Sequence, residues 1–181
     1  REAQPFLHNL ASQVQETVHL ARLDGNEIVY LDKVEQMNDP KGLRMASRVG
    51  MRNYAHSCAM GKVLLAFLSD KKRDLIFSQK GLPRLTKNTF VDRGIFEAHL
   101  EQVKAQGYSV DNEENEEGIK CVAAPVRNDR GEVVAAISIS APAVRVTKKR
   151  IDKEFRGEVI KTALEISKKL GFRDVEPEER R

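Results

Sequence analysis

Apolar positions near the start of the chain recur first with the period of a helix and then with that of a strand. Residues 5–15 are predicted to form an amphipathic helix, with apolar side chains at Phe6, Leu7, Leu10, Ala11 and Val14. Residues 17–23 and 28–34 read as two antiparallel strands, because Asp24-Gly25-Asn26 between them is a typical hairpin turn. After a break over residues 38–42, alternation predicts a third strand over residues 43–48 that places two arginines on one face.

The middle of the chain has helical spacing. Ser57 is a suitable N-cap for an apolar helix that ends near Ser69-Asp70, which in turn caps a helix to about Gln79 with Leu75 and Ile76 facing inward. A further helix ends near Gln106, where Gly107 closes it.

Strand patterns return over residues 108–111, 119–126 and 133–140, and a final helical stripe runs from residue 151 to 170. Strands on both sides of a helical insert, with one helix at each end, predict an α+β fold with a mainly antiparallel sheet. We expect one domain over residues 1–172 and a frayed tail over residues 173–181.

Composition narrows the class of protein. With 40% hydrophobic and 32% charged residues the chain is typical of a soluble globular domain, and it contains neither a run of 18 apolar residues nor a secretory signal pattern. Two cysteines, Cys58 and Cys121, are too few for a disulfide framework, so we expect a reducing cytoplasm. The net charge of +4 is too small to demand nucleic acid. Because the chain begins at Arg1 and not at Met, we expect the natural protein to continue upstream.

Several short segments suggest chemistry that their spacing does not support. Residues 60–63 resemble the end of a phosphate-binding loop but lack its first glycine and its final Ser or Thr. The acidic run 111–118 lacks calcium-loop spacing, so we expect Glu113 to Glu117 to form a solvated turn while Asp111 points inward from the end of its strand.

Three features leave two interpretations open. Residues 57–60 form a small-residue helix start, which either holds an anion with its free N–H groups or only packs against the sheet. Cys121 is either a small core residue or a reactive thiol. Ser138 and Ser140 share one strand face, which either meets water or lines a covered polar interior.

Three longer stretches, in this order and spacing, resemble the effector-binding domain of IclR-type transcriptional regulators. They are LRMASRVGMRNYAHSCAMGKVLLAFL, GYSVDNEENEEGIKCVAAPV and AAISISAPAVRV, the last followed by the terminal helix. The resemblance covers about Phe6 to Phe172, and the sequence of these stretches is most similar to the branch of the family that regulates sugar-acid catabolism.

The resemblance implies a GAF-like fold, with a curved sheet and helices around a pocket, and an upstream winged helix-turn-helix. It places the family's carboxylate-holding backbone amides on Ala59 and Met60, its polar pocket side chains on Asp111, Cys121, Ser138 and Ser140, and part of the apolar wall on Met45. The chain departs from the commonest family pattern at residues 53–55, where Asn-Tyr-Ala stands before the helix start.

The expected function is therefore that of a sensor and not of an enzyme. The implied partners are a small carboxylic effector, DNA through the upstream domain alone, and further copies of the chain in a homodimer or homotetramer, with no cofactor, metal or membrane. Two alternatives stay open: an enzyme that acts on a small acid through Cys121 or Asp111, and a structural oligomerisation domain.

Overall fold

A computed structural model describes residues 2–35 and 45–173 of the chain, and in these ranges six helices surround one six-stranded sheet. The helices are α1 (Gln4–Val14), α2 (Ala59–Ala66), α3 (Asp70–Lys80), α4 (Arg93–Gln106), α5 (Lys148–Arg150) and α6 (Arg156–Lys169). The strands are β1 (Thr17–Asp24), β2 (Glu27–Val34), β3 (Arg52–Tyr54), β4 (Ser109–Asn112), β5 (Ile119–Arg127) and β6 (Val133–Pro142). No helix in these ranges is both long and apolar enough to span a bilayer.

The sheet is antiparallel throughout and has the strand order β3-β2-β1-β6-β5-β4. The hairpin predicted around Asp24-Gly25-Asn26 forms as expected, with Gly25 in the left-handed conformation that its tight turn requires. The predicted α+β class with a curved, antiparallel sheet is confirmed.

Each face of the sheet carries its own apolar core. Helices α1 and α6 pack on one face of the sheet, against Ile137 and Ile139 of β6. Helices α2 and α4 pack on the other face, on the side of Ala136. Ser138 and Ser140 point to this second face and are buried there. Of the two interpretations left open for these serines, the covered polar interior is therefore the one that the fold supports.

The predicted third strand over residues 43–48 is wrong over the part that the structure describes, and Leu43 and Arg44 lie outside the described residues. Residues 45–50 are irregular, and the third strand is the shorter β3. A turn in which Met51 N–H donates to the Arg48 carbonyl, with Gly50 at a φ of 83°, reverses the chain before any ladder can form. The break predicted over residues 38–42 and most of the predicted tail also lie outside the described residues.

Local expectations for the helices need three corrections. The N-cap of α2 is Cys58 and not Ser57, whose hydroxyl lies within donating distance of Asn115 Oδ1 at 3.0 Å and of Tyr54 O at 3.3 Å. Leu75 of α3 is 56% exposed, since Arg73, Ile76 and Phe77 form the inward stripe at spacings of three and four. The final helical stripe is interrupted by a π turn over Ile151–Phe155 before α6 begins.

Candidate functional site

A cavity of about 80 Å³ with a mixed polar and apolar lining lies on the sheet face that α2 covers, and it runs from the β2 and β3 side to the β4 and β5 side. This space is several times the roughly 10 to 15 Å³ that one water molecule needs. Its lining is His19, Tyr30, Met45, Ala46, Ser47, Met51, Asn53, Cys58, Asp111, Asn115, Glu116, Ile119, Cys121 and Ser140. These side chains come from all six strands, two loops and a helix cap, so the site exists only in the folded chain.

The structure brings most of the predicted site residues to this cavity. Met45, Asp111, Cys121 and Ser140 line it. Ser138 lies directly behind the wall, because its hydroxyl is 3.4 Å from that of Ser140 and is fully covered.

Ala59 and Met60 are next to the wall and not in it. They form the first two positions of α2, immediately after Cys58, which lines the cavity, and their own side chains are buried in the core. The backbone N–H groups at these positions have no intrahelical acceptor, and they carry the positive end of the helix dipole. Helix α2 therefore starts at the cavity with free donor capacity.

Gly61 explains how α2 comes so close to the sheet. A Cβ atom at this position would lie 2.1 Å from the Ala55 carbonyl oxygen, which no side chain tolerates. The glycine that resembled part of a phosphate-binding loop therefore serves close packing, which supports the packing interpretation of residues 57–60. That the helix start holds an anion stays a prediction.

Asp111 points inward from β4, as predicted, and is almost completely buried. Its Oδ1 accepts from Glu114 N–H at 2.7 Å. Burial, reinforced by the nearby Glu114 carboxylate, raises the pKa of Asp111 to about 7. At neutral pH this carboxyl is divided between a protonated form that donates a hydrogen bond and an ionised form that only accepts one.

The solvated turn expected over Glu113 to Glu117 of the acidic loop, residues 113–118, is confirmed for the exposed Glu116 and Glu117 and is wrong for Glu114. Glu114 is buried and binds the ammonium group of Lys62 through both carboxylate oxygens, at 2.6 and 2.8 Å. Lys62 is completely inaccessible to solvent and also donates to the Val110 carbonyl at 2.6 Å. The loop is therefore fixed by a buried ion pair across 52 sequence positions.

Two threonines fix the same loop from its other side. Thr89 Oγ1 donates to Glu114 O at 2.7 Å, and Thr86 Oγ1 donates to Glu113 O at 2.6 Å. Because Asn115 and Glu116 follow directly and line the cavity, these contacts set the position of one end of the site.

The opposite end of the cavity is formed by the 45–51 segment, which is held mainly by two side chains. The ammonium group of Lys33 donates to Met45 O at 2.8 Å and to Ser47 O at 2.7 Å. His19 Nε2 lies 2.8 Å from Ser47 Oγ. Backbone bonds between Tyr30 and residues 50 and 51 join the end of the segment to β2.

His19 is a buried, uncharged residue at the centre of the cavity. Its Nδ1 lies 3.3 Å from Ser140 Oγ, so the ring touches both the sheet and the 45–51 segment. Burial lowers the pKa of His19 to about 3, with a smaller effect from Lys33. At neutral pH the ring therefore has one N–H donor and one acceptor nitrogen.

The two cysteines are unsuited to nucleophilic chemistry. Burial raises the pKa of Cys58 to about 12 and raises that of Cys121 well above its ordinary value, so both stay protonated at neutral pH. Cys121 lies directly opposite Ser140 in the β5–β6 ladder. In the described ranges no three His, Cys, Asp or Glu side chains cluster in a way that could hold a metal ion.

Sequence reasoning missed His19, Tyr30, Ser47 and Asn53 as cavity residues. One signal pointed to His19: it faces Ser138 directly in the β1–β6 ladder, so it shares the serine face. That pairing follows from a strand order that one sequence does not specify. Ser47 lies in an irregular segment, where periodicity carries no information.

Comparison with known proteins places the sequence and the fold of this chain in one family. The model of the bacterial transcriptional regulator IclR C-terminal family matches residues 1–168. Among curated proteins, the HTH-type transcriptional regulator KdgR of Escherichia coli K12 is 38% identical over 96% of the chain, and the HTH-type transcriptional repressor AllR of Salmonella paratyphi A is 40% identical over 94%. The chain spans 65% of that KdgR and 61% of that AllR.

Solved structures agree with this grouping. The C-terminal domain of E. coli KdgR superimposes with a TM-score of 0.84 at 35% identity, over 95% of this chain and 98% of that one. The inducer-binding domain of the PobR transcription factor from Acinetobacter, crystallised as a double mutant with 3-hydroxybenzoic acid, gives a TM-score of 0.83 at 29% identity, over 91% and 95% of the two chains.

Proposed function

The chain belongs to the IclR family of bacterial transcriptional regulators, as a C-terminal domain and not as an enzyme, and from this premise we propose that it senses a small carboxylic acid. Residues 1–172 would form the sensing domain, and an upstream winged helix-turn-helix would bind DNA. The observation that carries the proposal is the cavity at the start of α2, where the polar side chains of Asp111, Cys121 and Ser140 meet.

The charges around the cavity favour a single carboxylate on the ligand. Its lining includes no Lys or Arg among the residues that the structure describes, so a ligand anion depends on the N–H groups of Ala59 and Met60. Two acidic side chains, Asp111 and Glu116, stand in the same lining and oppose a second negative charge.

The rest of the lining suits hydroxyl or keto groups. Ser140 and the Ser138 hydroxyl behind it can donate or accept, and Asp111 with its pKa of about 7 can do either according to pH. A sugar acid or a hydroxylated keto acid offers such groups beyond one carboxylate. The carboxylic acid in the related PobR domain is consistent with this class of ligand.

The test is a thermal-shift and titration panel of D-gluconate, pyruvate and 3-hydroxybenzoate, each against its uncharged amide. We expect at least one acid to raise the melting temperature and its amide to bind far more weakly, because the amide lacks the charge that the helix start favours. Ser140→Ala, which removes a hydroxyl from the cavity wall, should then weaken the binding of that acid about 5- to 150-fold, the effect of about 1 to 3 kcal/mol for an unpaired ligand oxygen.

Ser167→Ala is the matched control, since Ser167 is equally buried but lies on α6, on the other face of the sheet. It should leave affinity unchanged. If Ser140→Ala and Asp111→Asn bind the acid as well as the wild type does, and the amide binds as well as the acid, while the domain stays folded, the site lies elsewhere.

Assembly of the chain is part of the same proposal. Regulators that bind paired half-sites need a two-fold related pair of DNA-binding domains, so we expect a homodimer or homotetramer. Light scattering that showed only monomers at tens of micromolar would contradict a stable dimer of this domain. The isolated domain should bind operator DNA weakly and without sequence preference.

A further inference from the structure

The cavity contains a continuous chain of hydrogen-bonding groups that joins the sheet to the 45–51 segment. Ser138 Oγ lies 3.4 Å from Ser140 Oγ, Ser140 Oγ lies 3.3 Å from His19 Nδ1, and His19 Nε2 lies 2.8 Å from Ser47 Oγ. Every member is at least partly buried, so water does not readily replace a broken link.

This series of hydrogen bonds has a direction, and the bond between Ser140 and His19 determines it. A neutral imidazole donates from one nitrogen and accepts at the other. If the Ser140 hydroxyl donates to Nδ1, then Nε2–H donates to Ser47; if Ser140 donates elsewhere, Nδ1–H donates to Ser140 and Nε2 accepts from Ser47. A group that bonds to Ser140 thus determines which tautomer of His19 faces Ser47.

We propose that His19 is a positioning residue that transmits the hydrogen-bonding state of Ser140, on the floor of the cavity, to Ser47 and so to the closure of the 45–51 segment. The coupling is a property of the ligand-free chain. It rests on the proposed function only for the statement that an effector is what normally changes the state of Ser140.

Trypsin cleavage after Arg48 gives a direct measure of this closure. Arg48 is exposed, follows Ser47 directly, and has its carbonyl held by Met51 N–H in the turn. A protease needs an extended strand, so cleavage requires the segment to leave its site, and its rate at low trypsin reports the open fraction.

The experiment compares the wild type, Ser47→Ala, Ser140→Ala and the double variant without ligand, by the appearance of the fragment that begins at Val49. We expect Ser140→Ala and Ser47→Ala each to speed this cleavage about fivefold, the effect of one hydrogen bond. The double variant should cleave no faster than Ser47→Ala alone, because the removed links lie in series.

Ser167→Ala controls for general loss of stability by removing a buried hydroxyl on the opposite face of the sheet. It should leave cleavage after Arg48 at the wild-type rate. Equal cleavage of Ser140→Ala and wild type would overturn the proposal, and so would effects of Ser140→Ala and Ser47→Ala that multiply in the double variant.

A second arm separates this proposal from the proposed function. D-gluconate, pyruvate and 3-hydroxybenzoate are added to the wild type and to Ser47→Ala. An acid that binds should slow cleavage in the wild type and lose most of that protection in Ser47→Ala. If no acid binds, the proposed ligand class fails while the ligand-free coupling is still decided by the first arm.

Discussion

The two ends of the cavity are built in opposite ways. The acidic loop is held by the buried Lys62–Glu114 ion pair and by two threonine hydroxyls, all inaccessible or nearly so. The 45–51 segment is held by Lys33, which is paired with the half-exposed Glu35, by the single side-chain contact between His19 and Ser47, and at its end by two backbone bonds to Tyr30. The acidic loop is anchored in the buried core of the domain. The 45–51 segment is joined to that core by a few polar contacts, so it can open locally.

The two ends also respond to pH with opposite signs. The pKa of Asp111, beside the acidic loop, is raised to about 7 in the folded chain, and that of His19, beside the 45–51 segment, is lowered to about 3. Raising the pH therefore destabilises the end at the acidic loop, and lowering the pH destabilises the end at the 45–51 segment.

The largest effect should come from Lys62→Met. Removing the ammonium group leaves the Glu114 carboxylate buried without a partner, and we expect a loss of about 3 to 5 kcal/mol in the free energy of unfolding, measured with urea. Adding Glu114→Gln to Lys62→Met should recover much of the loss, since no unpaired charge then remains. A loss below about 1 kcal/mol for the single variant would show that this end is no better anchored than the other.

The next effect concerns the pH dependence of stability. The ordinary pKa of Asp111 is 3.8 and its folded value is about 7, so between these values the unfolded chain releases a proton that the folded chain keeps. Stability that is fully present below pH 3.8 is thus lost as the pH rises to about 7. We expect the wild type to lose roughly 1 to 3 kcal/mol relative to Asp111→Asn between pH 4 and pH 8.

Asp111→Asn keeps the oxygen that accepts from Glu114 N–H, so the comparison isolates the titration. Below pH 6.5, His19 adds a loss of stability on acidification, because the unfolded chain takes up a proton that the folded chain excludes. This loss is common to both proteins and cancels in their difference. Parallel stability curves for the two proteins would mean that Asp111 titrates near its ordinary pKa.

The smallest effect on global stability should come from Lys33→Met. Its two bonds to carbonyl oxygens hold only the 45–51 segment, so we expect the free energy of unfolding to change by less than about 1 kcal/mol. Trypsin cleavage after Arg48 should nevertheless become several-fold faster. A global loss as large as that of Lys62→Met would contradict the difference between the two ends.

The sequence predicted what depends on local periodicity. Alternation in β6 gave the strand and the shared face of Ser138 and Ser140, and helical spacing gave α1, α4 and their ends. The alternating segment 43–48 was misread because alternation does not show whether a strand has a partner, and a turn at Gly50 removes that partner. The Lys62–Glu114 pair was not predictable, since Glu114 reads as one more acid in a polar run and its partner is distant in the sequence.

Successive side chains of β6 lie on opposite faces of the sheet and have different roles there. Ile137 and Ile139 fill the core under α1 and α6, while Ser138 and Ser140 face the site. For protein engineering this separates what can be varied from what cannot: under the proposed function, a saturation library at positions 138 and 140 would sample new ligand preferences while leaving the opposite face intact. A single-residue deletion in the same strand would exchange the two faces, so insertions and deletions there are expected to be lost from any functional population.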